Sequence, residues 1–304
     1  MNDLENFPKV SVVIPVYNGA GFVFDALDSV FYQDYPNMEV IVINDCSTDD
    51  TLMVLNSYPH PIKVITNKNN EGASYTRNQG IREACGKFIA FLDADDIWVK
   101  NKLTQQIKLL LDHQNVGLIY GKSKLTTYVN SEKIDIDEFI NGSNYELKSL
   151  KDVFLNPYFS TSTIVVKTAL CMAVGLFKEE LKTAEDVDFV LEIASKAPVI
   201  KMNSVLSSTR RLENSLGSAD SSYQDNLQVI KQFLKKHPNF LIEHKLLINK
   251  VIRKIYDDWI DNLVFQRKIN SAISIGLTSL TKCNPSKKTF YLLAKALALS
   301  FTKR

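Results

Sequence analysis

Residues Phe88–Trp98 read F-I-A-F-L-D-A-D-D-I-W, a mostly apolar run leading straight into the carboxylates Asp93, Asp95 and Asp96. The run Phe88–Leu92 has the length and composition of a strand buried on both faces. Acids crowded at the end of a buried strand repel one another unless something neutralises them. A divalent cation is the usual answer, because hard cations prefer carboxylate oxygen. Alternation along an extended chain puts Asp93 and Asp95 on one side and Asp96 on the other. The D-x-D spacing therefore presents two carboxylates to one point. The same residues also suit an acidic strand-to-helix turn with Asp96 as a helix cap, and the spacing alone does not separate the two.

The flanking chain alternates strands with helices. Val10–Val16 is a β-branched strand, Tyr17-Asn18-Gly19 turns the chain, and Phe22–Tyr32 carries apolar residues at helical spacing. Glu39–Asn44 is a second strand, running into Asp45, with a helix N-terminus expected at Ser47 or Thr48. Ile62–Thr66 is a third strand, Asn69–Gly72 a loop, Ser74–Ala84 a helix, Lys102–Leu111 another helix and Val116–Tyr120 a fifth strand. Such alternation implies right-handed crossovers and a largely parallel sheet. Ligands of such sheets sit outside the carboxyl ends of the strands. Tyr17-Asn18, Asp45 and Asp93/Asp95 all stand at such ends. Each suits turn chemistry taken singly, but one site could collect them all.

Beyond this, periodicity is weak between Lys122 and Asn156, where irregular structure or an added hairpin is expected. Ser160–Ser162 leads into a strand at Thr163–Val166, and Gly175-Leu176-Phe177 is a turn. Thr183-Ala184-Glu185-Asp186 starts a helix whose apolar face is Val187, Phe189, Val190, Ile193 and Ala194. Pro198–Met202 and Val205–Ser208 are strand candidates. The Gly217–Ser222 stretch reads as a linker, giving domains 1–217 and 218–304. The second is helical over Leu227–Leu234, Leu241–Leu263, Ile269–Leu280 and Phe290–Leu299, with Pro238 and Pro285 as punctuation. The tail mixes Phe290, Tyr291, Leu292, Leu297, Leu299 and Phe301 with Lys287, Lys288, Lys295, Lys303 and Arg304. That composition suits either an anionic membrane surface or a last helix packed on its neighbours.

A formal net charge of +2 argues against a strongly basic nucleic-acid binder. Cys46, Cys85, Cys171 and Cys283 are widely spaced, which suggests neither a zinc site nor a disulfide framework and suits a reducing compartment. The first residues lack the basic and apolar regions of a signal peptide. No apolar run approaches the roughly 20 residues of a membrane span. The expectation is a cytoplasmic protein, with peripheral contact at the inner face of the membrane open through the C-terminal helix.

Taken together, the segments V-S-V-V-I-P-V-Y-N, A-L-D-S-V-F-Y-Q-D-Y-P-N-M-E-V-I-V-I-N-D-C-S-T-D-D-T, N-E-G-A-S-Y-T-R-N-Q-G-I, G-K-F-I-A-F-L-D-A-D-D-I-W and T-A-E-D-V-D-F stand in one characteristic order. In this the chain resembles the family 2 glycosyltransferases of bacterial surface-polysaccharide type. The resemblance covers most of residues 8–215. It implies a GT-A fold, Rossmann-like α/β with a mostly parallel central sheet, here followed by an α-helical C-terminal extension. It implies that Pro15 and Tyr17 wall the nucleotide base, that Asp45 pairs with a uracil edge, and that Arg77 lies near the nucleotide. Asp93 then resembles the ribose- or metal-side acid, Asp95 the direct metal ligand and Asp186 the catalytic base. Asn44 departs from the family's usual acid and Cys46 from its glycine. Leu212 stands where a histidine that helps hold diphosphate or metal is common, with Arg210 or Arg211 as alternative sources of positive charge.

The chemistry implied is inverting transfer of a sugar from a nucleotide-diphosphate donor, UDP-sugar favoured, to a hydroxyl of a glycan or lipid-linked glycan. Mn²⁺ or Mg²⁺ would stabilise charge growing on the leaving diphosphate, and a positioned carboxylate would take the acceptor's proton. A sugar nucleotidyltransferase is the first rival, but P-V-Y-N-G-A-G lacks a basic, Gly-rich phosphate loop. A non-catalytic nucleotide-sugar-binding relative is the second, and it would be expected to have lost Asp95 or Asp186.

Overall fold

The computed structural model describes residues 7–126, 144–210 and 220–301. The chain forms two compact units, Met1–Leu181 with Glu185–Ser215, and Lys182–Ala184 with Leu216–Arg304.

The first unit is mixed α/β. Its strands are β1 (Val10–Val16), β2 (Met38–Asn44), β3 (Lys63–Thr66), β4 (Phe88–Phe91), β5 (Asp96–Trp98), β6 (Leu118–Thr126), β7 (Tyr145–Lys148), β8 (Val165–Lys167) and β9 (Val199–Arg210). They form one sheet in the order β3-β2-β1-β4-β8-β6-β9-β5, with β7 pairing β9. The stretch β3-β2-β1-β4 is parallel throughout. Its strands read as near-continuous apolar runs because helices cover both faces. Val10, Val12, Val13 and Ile14 of β1 and all of β4 are buried. The covering helices include α1 (Val23–Phe31), α2 (Thr51–Asn56), α3 (Ala73–Glu83) and α4 (Lys102–Asp112). Helix α3 lies so close to the sheet that a Cβ on Gly80 would stand 2.4 Å from Val13 Cγ1. Only glycine fits that crossing. The parallel strands deliver Tyr17, Asp45 and Asp93 to one edge of the sheet.

Several local expectations are corrected. Asp96 begins strand β5, antiparallel to β9 with Asp96 opposite Thr209, and caps no helix. Helix α2 starts at Thr51, because the Ser47 hydroxyl and the Thr48 amide are engaged by Asn18 instead. The two candidates around 198–208 are one strand, β9, and the irregularity in its pairing with β6 falls at Tyr120–Ser123. The fifth strand starts at Leu118 and runs to Thr126. In the weakly periodic stretch, β7 pairs β9 antiparallel rather than forming a hairpin with β6, and helix α5 (Leu150–Leu155) carries a Ser149–Asp152 capping box. Residues 127–143 of that stretch lie outside the described residues, as do Arg211, Leu212, the first half of the Gly217–Ser222 stretch, Lys303 and Arg304. Helix α6 (Thr168–Val174), which periodicity did not announce, precedes the Gly175-Leu176 turn, where both residues have positive φ. Helix α7 (Glu185–Ala194) follows.

Lys102 is the oddity of this core. It is fully buried, and its Nζ has no hydrogen-bond partner among the described residues and lies 4.0 Å from the centre of the Trp98 ring. Burial drives its pKa well below the ordinary lysine range. An unfolded lysine titrates near 10.4, so this residue costs nothing above that pH and subtracts stability as pH falls below it. Lys102→Met is expected to raise stability at pH 7 by about 1–3 kcal/mol, the usual penalty of a buried unpaired polar group. The gain should shrink towards pH 10.5. Melting curves at the two pH values check this, and a lower melting temperature at pH 7 would instead mean that the cation over Trp98 stabilises the fold.

The second unit is helical: α8 (Asp220–Lys236), α9 (Pro238–Glu243), α10 (Lys245–Phe265), α11 (Ile269–Lys282) and α12 (Lys287–Phe301). Proline at the first position of α9 suits a helix start, where no intrahelical N–H bond is lost. Trp259, Ile260 and Leu263 of α10 pack with Ala272 of α11 and with Leu292 and Ala296 of α12. Asp257 secures the start of α12, accepting bonds from Thr289 Oγ1 at 2.6 Å and Ser286 Oγ at 3.1 Å. Leu292 and Leu293 therefore face the core, whereas Phe290, Tyr291 and Leu297 are exposed. No helix among the described residues is long and apolar enough to cross a membrane.

Candidate active site

The loops after β1 and β2 are stapled together. The backbone N–H groups of Asn18, Gly19 and Ala20 donate to Ser47 Oγ (3.0 Å), Thr51 Oγ1 (2.8 Å) and Asp49 Oδ2 (3.1 Å). Thr48 N–H returns a bond to Asn18 Oδ1 at 2.8 Å. Asn18 and Cys46 hold φ values of 49° and 58°, so each loop turns through the left-handed region. Pro15, opposite Ile43 in the sheet, and half-exposed Tyr17 stand on the β1 side of this rim. Asn44, where an acid is usual in the family resembled, accepts the Ser47 N–H at 3.1 Å, so an amide oxygen performs the turn bond.

Asp45 is buried at the end of β2. Its carboxylate accepts from Asn67 Nδ2 (2.8 Å), Glu71 N–H (3.0 Å) and Gly72 N–H (2.8 Å). Gly72 makes its bond at φ 89°, a conformation that favours glycine, directly before α3. Asp45 thus organises the loop that starts α3. A carboxylate offers about four lone-pair sites, so about one remains.

Arg77 of α3 is buried and grips two acids, Asp93 through Nη2 at 2.6 Å and Glu185 through Nη1 at 2.8 Å. Its guanidinium lies over the Phe177 ring, 5.6 Å from the centre, and Phe177 stacks on Phe189 at 4.2 Å. Sequence reading named Arg77, Asp93 and Asp186 but gave no role to Glu185. No local signal could have found it, because its partner Arg77 lies 108 positions earlier in the chain.

The three acids after β4 have separate fates. Asp93 belongs to Arg77. Asp96 turns into the sheet, where Ser162 Oγ donates to its Oδ2 at 2.5 Å, and burial pushes its carboxyl up to about 8. Ser162 also fixes the turn by accepting the Asp93 N–H at 3.0 Å. Asp95 has no ion pair among the described residues. Burial, then the charge of Asp93, raise its pKa, with Arg210 and Arg77 opposing. Arg210, at the end of β9, pairs with Asp25 at 2.5 Å and lies over the Phe22 ring.

Asp186 is the second residue of α7. Burial and the neighbouring Glu185 charge push its carboxyl up to about 7, with the Val187 N–H and Arg77 opposing and Asp93 adding to the rise. Asp93, Arg77, Glu185 and Asp186 therefore form one charge cluster drawn from three separated stretches of chain.

No group of three or more His, Cys, Asp or Glu side chains among the described residues is arranged to hold a metal ion. The donor set suits a different arrangement. Mg²⁺-type ions usually take one or two carboxylates and complete their shell with phosphate oxygens and water. Asp95, unpaired and with its charge disfavoured by burial, fits an ion that arrives with a diphosphate.

A sequence profile described as glycosyl transferase family 2 matches residues 11–170. TuaG of Bacillus subtilis, named for teichuronic acid biosynthesis, is 29% identical over 215 residues, 69% of this chain and 82% of TuaG. WfgD of Escherichia coli, named a UDP-Glc:alpha-D-GlcNAc-diphosphoundecaprenol beta-1,3-glucosyltransferase, is 40% identical over 117 residues, 38% of this chain and 46% of WfgD. Among solved structures, S. aureus TarS 1-349 in complex with UDP-GlcNAc aligns with a TM-score of 0.62 at 20% identity, over 95% of this chain and 88% of that one. The mannosyltransferase PcManGT of Pyrobaculum calidifontis, in complex with GDP-Man and Mn2+, aligns at 0.65 and 21% identity, over 97% and 81%. At such identities the structures show a shared fold.

Proposed function

We propose that this chain, which belongs to glycosyl transferase family 2, moves a sugar with inversion from a UDP-sugar to a hydroxyl of a glycan or lipid-linked glycan. The observation that carries the reading is the division of labour among the acids. Asp95 has no ion pair among the described residues, while Asp186, partly buried, has its carboxyl pushed up to about 7 within the cluster that holds Asp93. Two carboxylates pushed into different environments suit two roles.

In this reading Asp95 would hold Mn²⁺ or Mg²⁺ together with the donor's diphosphate, and the ion would supply charge stabilisation to the leaving group. Asp186 takes the proton from the acceptor hydroxyl as it attacks. A carboxyl that titrates near 7 is well matched to general-base work at neutral pH. Arg210 adds positive charge beside Asp95, which supports it as a replacement for the histidine position occupied by Leu212. Pro15 and Tyr17 line the base side. The name of WfgD, with a UDP-sugar donor, a lipid diphosphate acceptor and a β linkage, supports the same class of reaction.

Asp45 sets the base preference. With about three of its four acceptor positions occupied, it takes one further N–H, which matches the single N3–H of uracil better than the paired donors of guanine. UDP is expected to bind tighter than GDP by about tenfold in the presence of Mn²⁺, measured side by side by calorimetry. Tighter binding of GDP would refute the Asp45 role. In turnover with a UDP-sugar the nucleotide product should be UDP, and pyrophosphate would refute transfer altogether.

A further inference from the structure

Arg77 is where three elements meet: α3, the turn after β4, and the start of α7. Its side chain is 6% exposed, Glu185's is 16% and Asp93's 31%. One cation faces two acids. Asp93 alone would neutralise the guanidinium, so Glu185 is not needed for charge balance. Its distinct consequence is mechanical. It ties the first residue of α7 to α3, and Asp186 is the next residue along the chain. The chain enters α7 through Ala184 at φ 60°, a left-handed conformation that an alanine keeps only when neighbouring contacts enforce it. The Arg77–Glu185 ion pair is the contact immediately after that residue.

We propose that Glu185 is a positioning residue: clamped by Arg77, it locks the first turn of α7 to the Asp93 turn and so fixes where the Asp186 carboxyl stands relative to Asp95. The base and the metal-side acid then move as one piece rather than as ends of separate segments. Misplacing a catalytic group by about 1 Å costs on the order of 10²-fold in rate, so a tether of this kind has a kinetic signature. The inference rests on the reading of Asp186 as the base.

The test is a cycle on the full chain with Mn²⁺, reading UDP release from UDP-glucose and UDP-N-acetylglucosamine, with UDP affinity measured by calorimetry. Glu185→Gln keeps the side chain's shape but removes its charge. It should lower the release rate about tenfold or more and leave UDP affinity within about threefold of wild type. In an Asp186→Asn background the same change should cost nothing further, because a tether acting through the base has nothing left to position. Glu185→Asp, which retains the charge, should recover part of the rate. If Glu185→Gln slows release by the same factor with and without Asp186, it acts independently and the proposal falls. It also falls if the variant weakens UDP binding in place of rate, or matches wild type while Asp186→Asn is inactive. If Asp186→Asn itself releases UDP at the wild-type rate, the base reading fails, and this inference with it.

Discussion

Asp186→Asn is expected to slow UDP release from a UDP-sugar by a factor of about 10² or more while leaving UDP and Mn²⁺ binding intact. The amide has the shape of the carboxyl and can still accept the Val187 N–H that now reaches Oδ1 at 2.7 Å. What it cannot do is take a proton. A factor of 10² corresponds to about 2.7 kcal/mol of lost transition-state stabilisation. The pH profile gives an independent check. A general base works deprotonated, so with a carboxyl near 7 the wild-type rate should rise about tenfold per pH unit below that value and level off above it. The residual rate of the variant should lack that slope. Stability should move the other way. An unfolded aspartate titrates near 3.9, and this one titrates higher when folded. Its contribution is therefore complete below about pH 4 and is lost as pH rises towards 7. Asp186→Asn removes that loss, so the variant should melt no lower than wild type at pH 8. An inactive but more stable variant is the mark of a functional acid. A variant with the wild-type rate would return Asp186 to a structural role at the start of α7.

The alternating half of the sheet was legible because its strands carry their information locally. Val10–Val16 and Phe88–Leu92 are apolar whatever surrounds them, and the turn residues after them mark one edge of a parallel sheet. Strand β5 was not legible. Asp96-Ile97-Trp98 is too short to show a period, and it exists because β9 comes alongside it from more than a hundred residues further on. Strand β9 is continuous because β6 pairs with it on both sides of its polar centre, at Val199–Lys201 and Val205–Arg210, although Asn203-Ser204 reads as a break. At the site, residue types were legible but their pairings were not. The D-x-D spacing presents two carboxylates to one point. Arg77, which approaches from α3, takes Asp93 and leaves Asp95. Glu185 escaped notice for the same reason, since nothing in T-A-E-D indicates that its first acid meets an arginine 108 positions earlier.

That unequal division makes Asp95 the sharper test of metal dependence. In the wild-type chain Mn²⁺ should strengthen UDP binding by about tenfold or more, because ion and diphosphate complete each other's coordination. In Asp95→Asn the Mn²⁺-dependent part should vanish, leaving weak affinity that is the same with and without the ion. The fold should tolerate the change. Asp95 makes no ion pair among the described residues, and burial and the charge of Asp93 both disfavour its ionised form. Replacing it with an amide removes repulsion and breaks no ion pair among the described residues, so the metal-free variant should melt at or slightly above the wild-type temperature. Asp93→Asn is not an equivalent experiment. It breaks the 2.6 Å contact to Arg77 and so disturbs the cluster that includes Glu185 and Asp186 along with any metal-side role. Melting curves with UDP and Mn²⁺ separate the effects, since a ligand that binds only the native state raises its apparent stability in proportion to the logarithm of its concentration over Kd. Wild type should gain stability from UDP and Mn²⁺ together beyond the sum of the two alone, and Asp95→Asn should not. If the variant keeps that synergy, the ion is held elsewhere, and Asp95 is an acid of the turn and nothing more.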